Sequence, residues 1–230
     1  MPIINVIIPA FNEEKSIAQV INAIPKGLVN DIIVVDNNSG DSTFAVAGQA
    51  GATTLKEPRQ GYGQACLTGI AYTLNKKPAD RPDVLVFVDG DYSDYPEEMI
   101  NLVQPILEDK ADLVIGSRAL GKREKGAMLP QQIFGNWLAT TLLRLFYGMR
   151  FTDLGPFRAI RTDKLVALNM QDRTYGWTVE MQLKAVQQKL RCLEVPVNYR
   201  KRIGFSKISG TVKGTVLAGY KIILTIFKYL

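Results

Sequence analysis

Four short, almost purely apolar runs limit what this chain can become: INVIIP at 4–9, DIIVVD at 31–36, VLVFV at 84–88 and DLVIGS at 112–117. Each has strand length and is rich in Val and Ile. Between them lie segments with a 3.6-residue apolar period, at 13–24, from Asp41 or Ser42 to about 50, at about 62–75 and at 96–108. ATTLKE at 52–57 reads as a weaker strand. Short buried strands separated by helices form βαβ units, so the expected class is α/β, with a mainly parallel sheet and helices on both faces. At 230 residues this is one domain or at most two small ones.

In such sheets, ligands bind beyond the carboxyl ends of the strands. Three strands end there in conspicuous polar groups: PAFNE at 9–13, DNNS at 36–39 and DGD at 89–91. The last is the most telling. Asp89 and Asp91 repel each other and resist burial, so their place at the end of a buried strand implies a positive partner. Two carboxylates on one side of a turn can share a divalent cation such as Mg²⁺ or Mn²⁺, which takes oxygen ligands and completes its shell with water and phosphates. Asp94 has a plainer reading, as a cap before the helix that Pro96 opens. GYGQAC at 61–66 lacks the third glycine of a dinucleotide fingerprint and reads as a tight turn whose amides approach a nucleotide.

Composition removes several chemistries. There is no histidine, so Ser-His and Cys-His nucleophiles, His-ligated zinc and imidazole bases are excluded. Cys66 and Cys192 lie far apart in apolar stretches, and the start MPIINVIIPAF lacks a basic n-region and a cleavage site. Free thiols, no signal peptide and a cytoplasmic location are the expectation. Charge is divided unevenly. Residues 1–117 carry eight Lys and Arg against 16 Asp and Glu, and residues 118–230 carry 20 against six. A cation site in the first half and anion contacts in the second follow. No nucleic-acid partner is expected, because helix-turn-helix and aromatic-interleaved patterns are missing.

The second half is less regular. A basic loop at 118–125 leads to a helix at about 131–147, FRAIR at 157–161 reads as a strand, 178–189 as a helix and CLEVPVNY at 192–199 as a strand. Four cations then fall within eight residues, Arg200, Lys201, Arg202 and Lys207. The last stretch, 211–230, is interrupted by Lys213, Lys221 and Lys228 and is a poor spanning helix. Val212, Val216, Tyr220, Ile223 and Phe227 share one face with the lysines on or beside the other, which suits a helix lying in a membrane interface. The domain division is therefore 1–210 for the catalytic unit and 211–230 for an amphipathic helix, with a dimer contact or core docking as its other uses.

Taken in order, PAFNEE, DNNSGDST, GYGQA, VDGD, DLGPFRAIR and RKRIGFSK resemble the inverting family-2 glycosyltransferases of GT-A fold. The last two motifs resemble the branch of dolichyl-phosphate mannose synthases and polyprenyl-phosphate glycosyltransferases. The resemblance implies that Pro9, Phe11, Glu13 and Asp36 hold the nucleoside. It places Asp89, Gly90 and Asp91 at the ribose, diphosphate and metal, and Arg118 at the sugar and phosphate. Arg200, Arg202, Ser206 and Lys207 form a cationic loop for the diphosphate and the acceptor phosphate. Relatives often carry glutamine where this chain has Ser93, which could still reach a metal through water.

The expected reaction is metal-dependent transfer of a hexose, with inversion, from a GDP-mannose or UDP-glucose type donor to a polyprenyl phosphate, on the inner face of a membrane and within cell-envelope biosynthesis. Asp91, Arg202 and Asp153 are the catalytic candidates, Asp153 as a base or a sugar-positioning group, with a turn former as its alternative. Glu180 is a weaker candidate, its alternative an ordinary helix-surface glutamate. A lipid phosphate needs no base, since its second pKa is about 6. Alternatives are the same fold acting on a saccharide hydroxyl, and a nucleotide-sugar binder without activity. The donor's sugar and base and the oligomeric state are left open.

Overall fold

The structure is a computed structural model that describes residues 2–148, 150–204 and 212–229. Its first half follows the sequence closely. Strand β1 (Ile4–Ala10), helix α1 (Ile17–Ala23), β2 (Asp31–Asp36), α2 (Thr43–Gln49), β3 (Thr53–Lys56), α3 (Tyr62–Leu74), β4 (Val84–Phe87), α4 (Met99–Leu107) and β5 (Leu113–Ser117) succeed one another. The second half supplies α5 (Pro130–Tyr147), β6 (Arg158–Arg161), α6 (Thr162–Leu168), α7 (Trp177–Gln187), β7 (Cys192–Pro196) and α8 (Val212–Lys228).

The seven strands form one sheet in the order β3-β2-β1-β4-β6-β5-β7. All pairings are parallel except those of β6, which runs antiparallel between β4 and β5. Side chains alternate faces along each strand, and both faces are covered. Ile4, Val6, Ile8, Val34, Val86 and Val114 pack toward α1, α2 and α4. Ile7, Ile33, Val35, Leu85, Phe87 and Ile115 pack toward α3, α6 and α7. This is why the strands read as unbroken apolar runs.

A third cluster lies off the sheet. Ala139 and Leu143 of α5, Val179 and Leu183 of α7, and Ile226 of α8 pack together with Leu154. Helix α8 thus docks on the protein with Ile222, Thr225 and Ile226 inward, while Leu217, Tyr220, Leu224 and Phe227 face out. Tyr220 and Phe227 of the expected apolar face are therefore exposed. Lys221, expected on the far side, reaches Asp172 at 3.1 Å. No helix among the described residues is long and apolar enough to cross a membrane. Both cysteines are free thiols, Cys66 buried and Cys192 partly so.

Candidate active site

The carboxyl ends of β1, β2 and β4 meet at the wall of a cavity of about 700 Å³. Pro9 near the end of β1, Phe11 and Glu13 after it, Asn37 after β2, and Asp89, Gly90 and Asp91 after β4 line one end. Ser16 fastens the first loop to the third, donating to the Gly90 carbonyl at 2.8 Å and to Glu13 at 3.0 Å. Asn37 braces the second, donating to the carbonyls of Glu57 and Arg59 and accepting from the Gly61 amide at 2.7 Å. Asp36 stands behind it, buried, with Oδ1 lacking a hydrogen bond among the described residues.

Arg202 enters from the chain after β7. Backbone bonds from Arg200 to the Ser93 carbonyl (2.9 Å) and from Ile203 to the Asp91 carbonyl (3.0 Å) lay this segment along 91–93. The Arg202 guanidinium then meets Asp91 Oδ2 at 2.7 Å. Asp91 Oδ1 accepts from the amide and hydroxyl of Ser93. Ser93 is buried, and its hydroxyl orients Asp91. Asp89 is the unbalanced member. Burial, and then the Asp91 charge, push its carboxyl up to about 7 against the pull of Arg202. Its Oδ1 is buried and has no close hydrogen-bond partner among the described residues; the neighbouring Tyr62 hydroxyl pulls its pKa down, and burial and Asp91 outweigh that pull.

A divalent cation fits this pair. The two carboxylates share one arginine, and an orphaned oxygen points to a missing positive partner. No ready-made cage of three acidic, His or Cys side chains exists among the described residues. That suits an ion of the Mg²⁺ kind, which takes one or two carboxylates and fills its shell with substrate phosphates and water.

Arg118 and Asp153 form the second charged feature. Asp153 is 1% exposed and accepts three bonds from Arg118, from the amide, Nε and Nη2, at 2.7, 2.8 and 2.7 Å. Burial pushes the Asp153 carboxyl up, but the Arg118 charge and hydrogen bonds outweigh it and hold the group below the usual carboxylate range. A general base works best with a pKa near the operating pH. The low pKa weighs against the base reading of Asp153, and the three bonds suit a carboxylate that fixes Arg118, whose side chain lines the cavity.

Three further expectations change. Arg200 does not line the cavity: it stacks on Tyr92 and Tyr95, 3.5 and 4.1 Å from their centroids, and donates to the carbonyls of Tyr92 and Asp94. Asp94 caps nothing; it is 1% exposed, and neither oxygen has a hydrogen-bond partner among the described residues. Burial and then Asp89 raise its pKa well above the carboxylate range. The amides of Gly63 and Gln64 are taken by the carbonyls of Thr174 and Arg173 and do not face a ligand. A Cβ at Gly63 would fall 2.1 Å from the Asp172 carbonyl oxygen, so the turn's glycine serves close packing. Ser206 and Lys207 lie outside the described residues.

Sequence reasoning passed over Arg158. Wholly buried on β6, it donates to the carbonyls of Leu154, Gly155 and Thr178 and so shapes the turn that presents Asp153. Burial lowers its pKa to about 10. The available signal was an arginine inside the apolar run FRAIR. Glu180 is likewise wholly buried, contrary to its surface reading.

The α5 and α8 side of the cavity carries its apolar lining, interspersed with Gln131, Gln132 and Asn136. Met128, and Phe134 and Leu138 of α5, with Gly219 and Ile222 of α8, form it. Outside this rim the two helices expose Phe134 (60%), Trp137 (58%), Leu145 (73%) and Tyr220 (64%).

Known proteins share this plan. Residues 5–168 match the family model described as Glycosyl transferase family 2. An uncharacterized glycosyltransferase of Mycobacterium tuberculosis is 33% identical over 217 residues, covering 94% of each chain. The undecaprenyl-phosphate mannosyltransferase of Micrococcus luteus is 31% identical, over 90% of this chain and 88% of its own. Among solved structures, glucosyl-3-phosphoglycerate synthase from M. tuberculosis, in complex with Mn²⁺, UDP and glucosyl-3-phosphoglycerate, superposes with a TM-score of 0.77 at 22% identity, over 99% of this chain and 80% of that one. The chain belongs to glycosyl transferase family 2 and is a glycosyltransferase of GT-A fold.

Proposed function

We propose that the protein transfers a hexose, with inversion, from a nucleoside diphosphate sugar to a polyprenyl phosphate at a membrane surface. One observation carries this reading. A single cavity runs from paired aspartates and two arginines to an apolar rim whose helices expose aromatic and aliphatic side chains. Such a cavity suits a donor that is all charge and an acceptor whose phosphate is tied to a hydrocarbon chain. Support comes from relatives named as an undecaprenyl-phosphate mannosyltransferase and, at 29% identity over 96% of this chain, a UDP-N-acetylglucosamine–dolichyl-phosphate N-acetylglucosaminyltransferase of Methanococcus voltae.

In this reading Pro9, Phe11, Glu13 and Asn37 surround the nucleoside, with Asp36, which does not line the cavity, buried behind Asn37. Asp89 and Asp91 hold Mg²⁺ or Mn²⁺, and the ion offsets charge on the departing nucleoside diphosphate. Arg202 sits where the diphosphate lies, and Arg118, held by Asp153, faces the phosphate of the acceptor. An acceptor phosphate oxygen forms the new bond to the anomeric carbon as the bond from that carbon to the nucleoside diphosphate breaks. The phosphate is largely dianionic at neutral pH, its second pKa being about 6, so no proton need be removed. Cations that align two anions are then the main requirement, and Arg118 and Arg202 supply them.

The test is nucleotide release from a panel of UDP- and GDP-sugars with Mn²⁺ or Mg²⁺, with and without a short polyprenyl phosphate in detergent. Release that depends on the lipid, with a glycosylated lipid phosphate as product, is the expected result. Binding of a nucleotide sugar with no turnover on any lipid phosphate would overturn the acceptor assignment.

A further inference from the structure

Helix α8 and Tyr229, just past its end, are fastened to the 171–176 loop and to the start of α7 by three contacts. The Tyr229 hydroxyl donates to Glu180 at 2.6 Å. Lys221 pairs with Asp172 at 3.1 Å. Thr225 sits so close to Gly176 that a Cβ there would lie 2.5 Å from its hydroxyl. The two carboxylates are the loop's own scaffold. Glu180 accepts from the amides of Gln171 and Asp172 as well as from Lys184, and Asp172 accepts from the amides of Thr174 and Gly176. A wholly buried glutamate engaged on all sides is a joint, and Tyr229 supplies one of its arms.

The loop reaches the cavity from its other side. Its Arg173 and Thr174 carbonyls hold the first amides of α3, and the glycines at 61 and 63 let the two backbones touch. The first residue of α3 is Tyr62, which lines the cavity beside Asp89. Tyr175 of the loop lines the same cavity. An unbroken line of hydrogen bonds and contacts thus runs from the outer helix through Glu180 to the nucleotide end of the site.

We propose that Glu180 is a positioning residue for the donor pocket and that Tyr229, just past the end of α8, makes this positioning depend on the docking of that helix. The proposal rests on the reading of the cavity as a nucleotide-sugar site. Tyr229→Phe removes one hydroxyl and leaves the packing of α8 intact, whereas Gly176→Ala sets a methyl against both Thr225 of α8 and the Asp172 carboxylate of the loop, each 2.5 Å away. Binding of UDP and of GDP with Mn²⁺ to the full chain, by titration calorimetry, is read beside the melting temperature. The nucleotide the wild type binds should bind roughly five-fold more weakly to Tyr229→Phe, the scale of a lost hydrogen bond to a charged group once part of it is recovered from water. Glu180→Gln should weaken binding further. The double variant with Tyr229→Phe should fall short of the product of the two effects, because both act through one bond. An unchanged Kd in Tyr229→Phe and Gly176→Ala, whatever happens to their melting temperatures, makes α8 a stabilising strut only and overturns the proposal. Failure of the wild type to bind either nucleotide overturns the underlying site reading instead.

Discussion

Replacing Asp153 by asparagine separates two accounts of the site. The substitution keeps the shape and removes the charge. Asp153 Oδ2 accepts from the Arg118 amide and Nε, and Oδ1 from Nη2. An amide can keep its oxygen toward only part of this set, and its NH₂ then confronts a donor. The larger loss is electrostatic. Removing one partner of a buried ion pair costs about 3–5 kcal/mol, because the other charge stays behind uncompensated. The Arg118 side chain is 11% exposed, so water recovers some of this, and the lower end, about 3 kcal/mol, is the expectation. For a domain of this size each kcal/mol moves the midpoint by about 2–4 °C, giving a fall of roughly 6–12 °C.

Urea and thermal unfolding followed by circular dichroism at pH 7 measure it, with Arg118→Met and the double variant closing a cycle. The two single losses should overlap, leaving a coupling of about 2 kcal/mol or more, as groups in contact do. The competing account makes Asp153 a base for a hydroxyl acceptor. It predicts vanished turnover with stability within about 0.5 kcal/mol of the wild type, the range of substitutions away from structural features. That outcome would refute the ion-pair argument.

Binding of nucleotide with Mn²⁺ should tighten about tenfold from pH 6 to pH 8, because a carboxyl near 7 must lose its proton to hold the ion; in Asp89→Asn calorimetry should show a weak, flat profile. Asp94→Asn should be more stable than the wild type at pH 8. A carboxyl whose folded pKa is raised loses stability as pH climbs from its unfolded value, so the gap in urea midpoint should close toward about pH 4. Phe134→Ser with Trp137→Ser should abolish sedimentation with phosphatidylglycerol vesicles while leaving the melting temperature within about 3 °C, since both side chains are more than half exposed. Retained vesicle binding would sink the assignment of that face to lipid.

The first half of the fold was legible because its inner strands are covered on both faces and hence apolar throughout, and because polar groups mark the ends of β1, β2 and β4; the edge strand β3, TTLK and half-buried, gave the weaker signal. Polarity of pairing was not legible. RAIR looks the same whichever way it runs, and nothing in it says that it lies antiparallel between β4 and β5. That placement follows from the return path of the chain through α5, a tertiary fact. The short α6, seven residues with one turn buried, left no periodic signal long enough to see.

At the site, residues that end strands could be found from sequence, and residues that act through partners could not. Asp89 and Asp91 announce themselves because two carboxylates after an apolar run have no structural excuse. Arg200 and Arg202 stand two positions apart in one basic run, and only the fold divides them. Arg202 turns inward to Asp91, while Arg200 is spent stacking on Tyr92 and Tyr95. The same holds for the acidic residues. Asp153 read as a base, a sugar-positioning group or a turn former, and Glu180 as a weaker candidate or a helix-surface group, yet each is buried and each holds something else: Arg118 in one case, the 171–176 loop and Tyr229 in the other. Charge count therefore located the chemistry, acidic first half facing basic second half, but not its division of labour. Asp94 carries that point furthest. Three residues from Asp91 and fully buried, it has neither cap nor cation as a bonded partner among the described residues, and burial together with Asp89 raises its pKa, which lowers the cost of holding an unpaired carboxyl there.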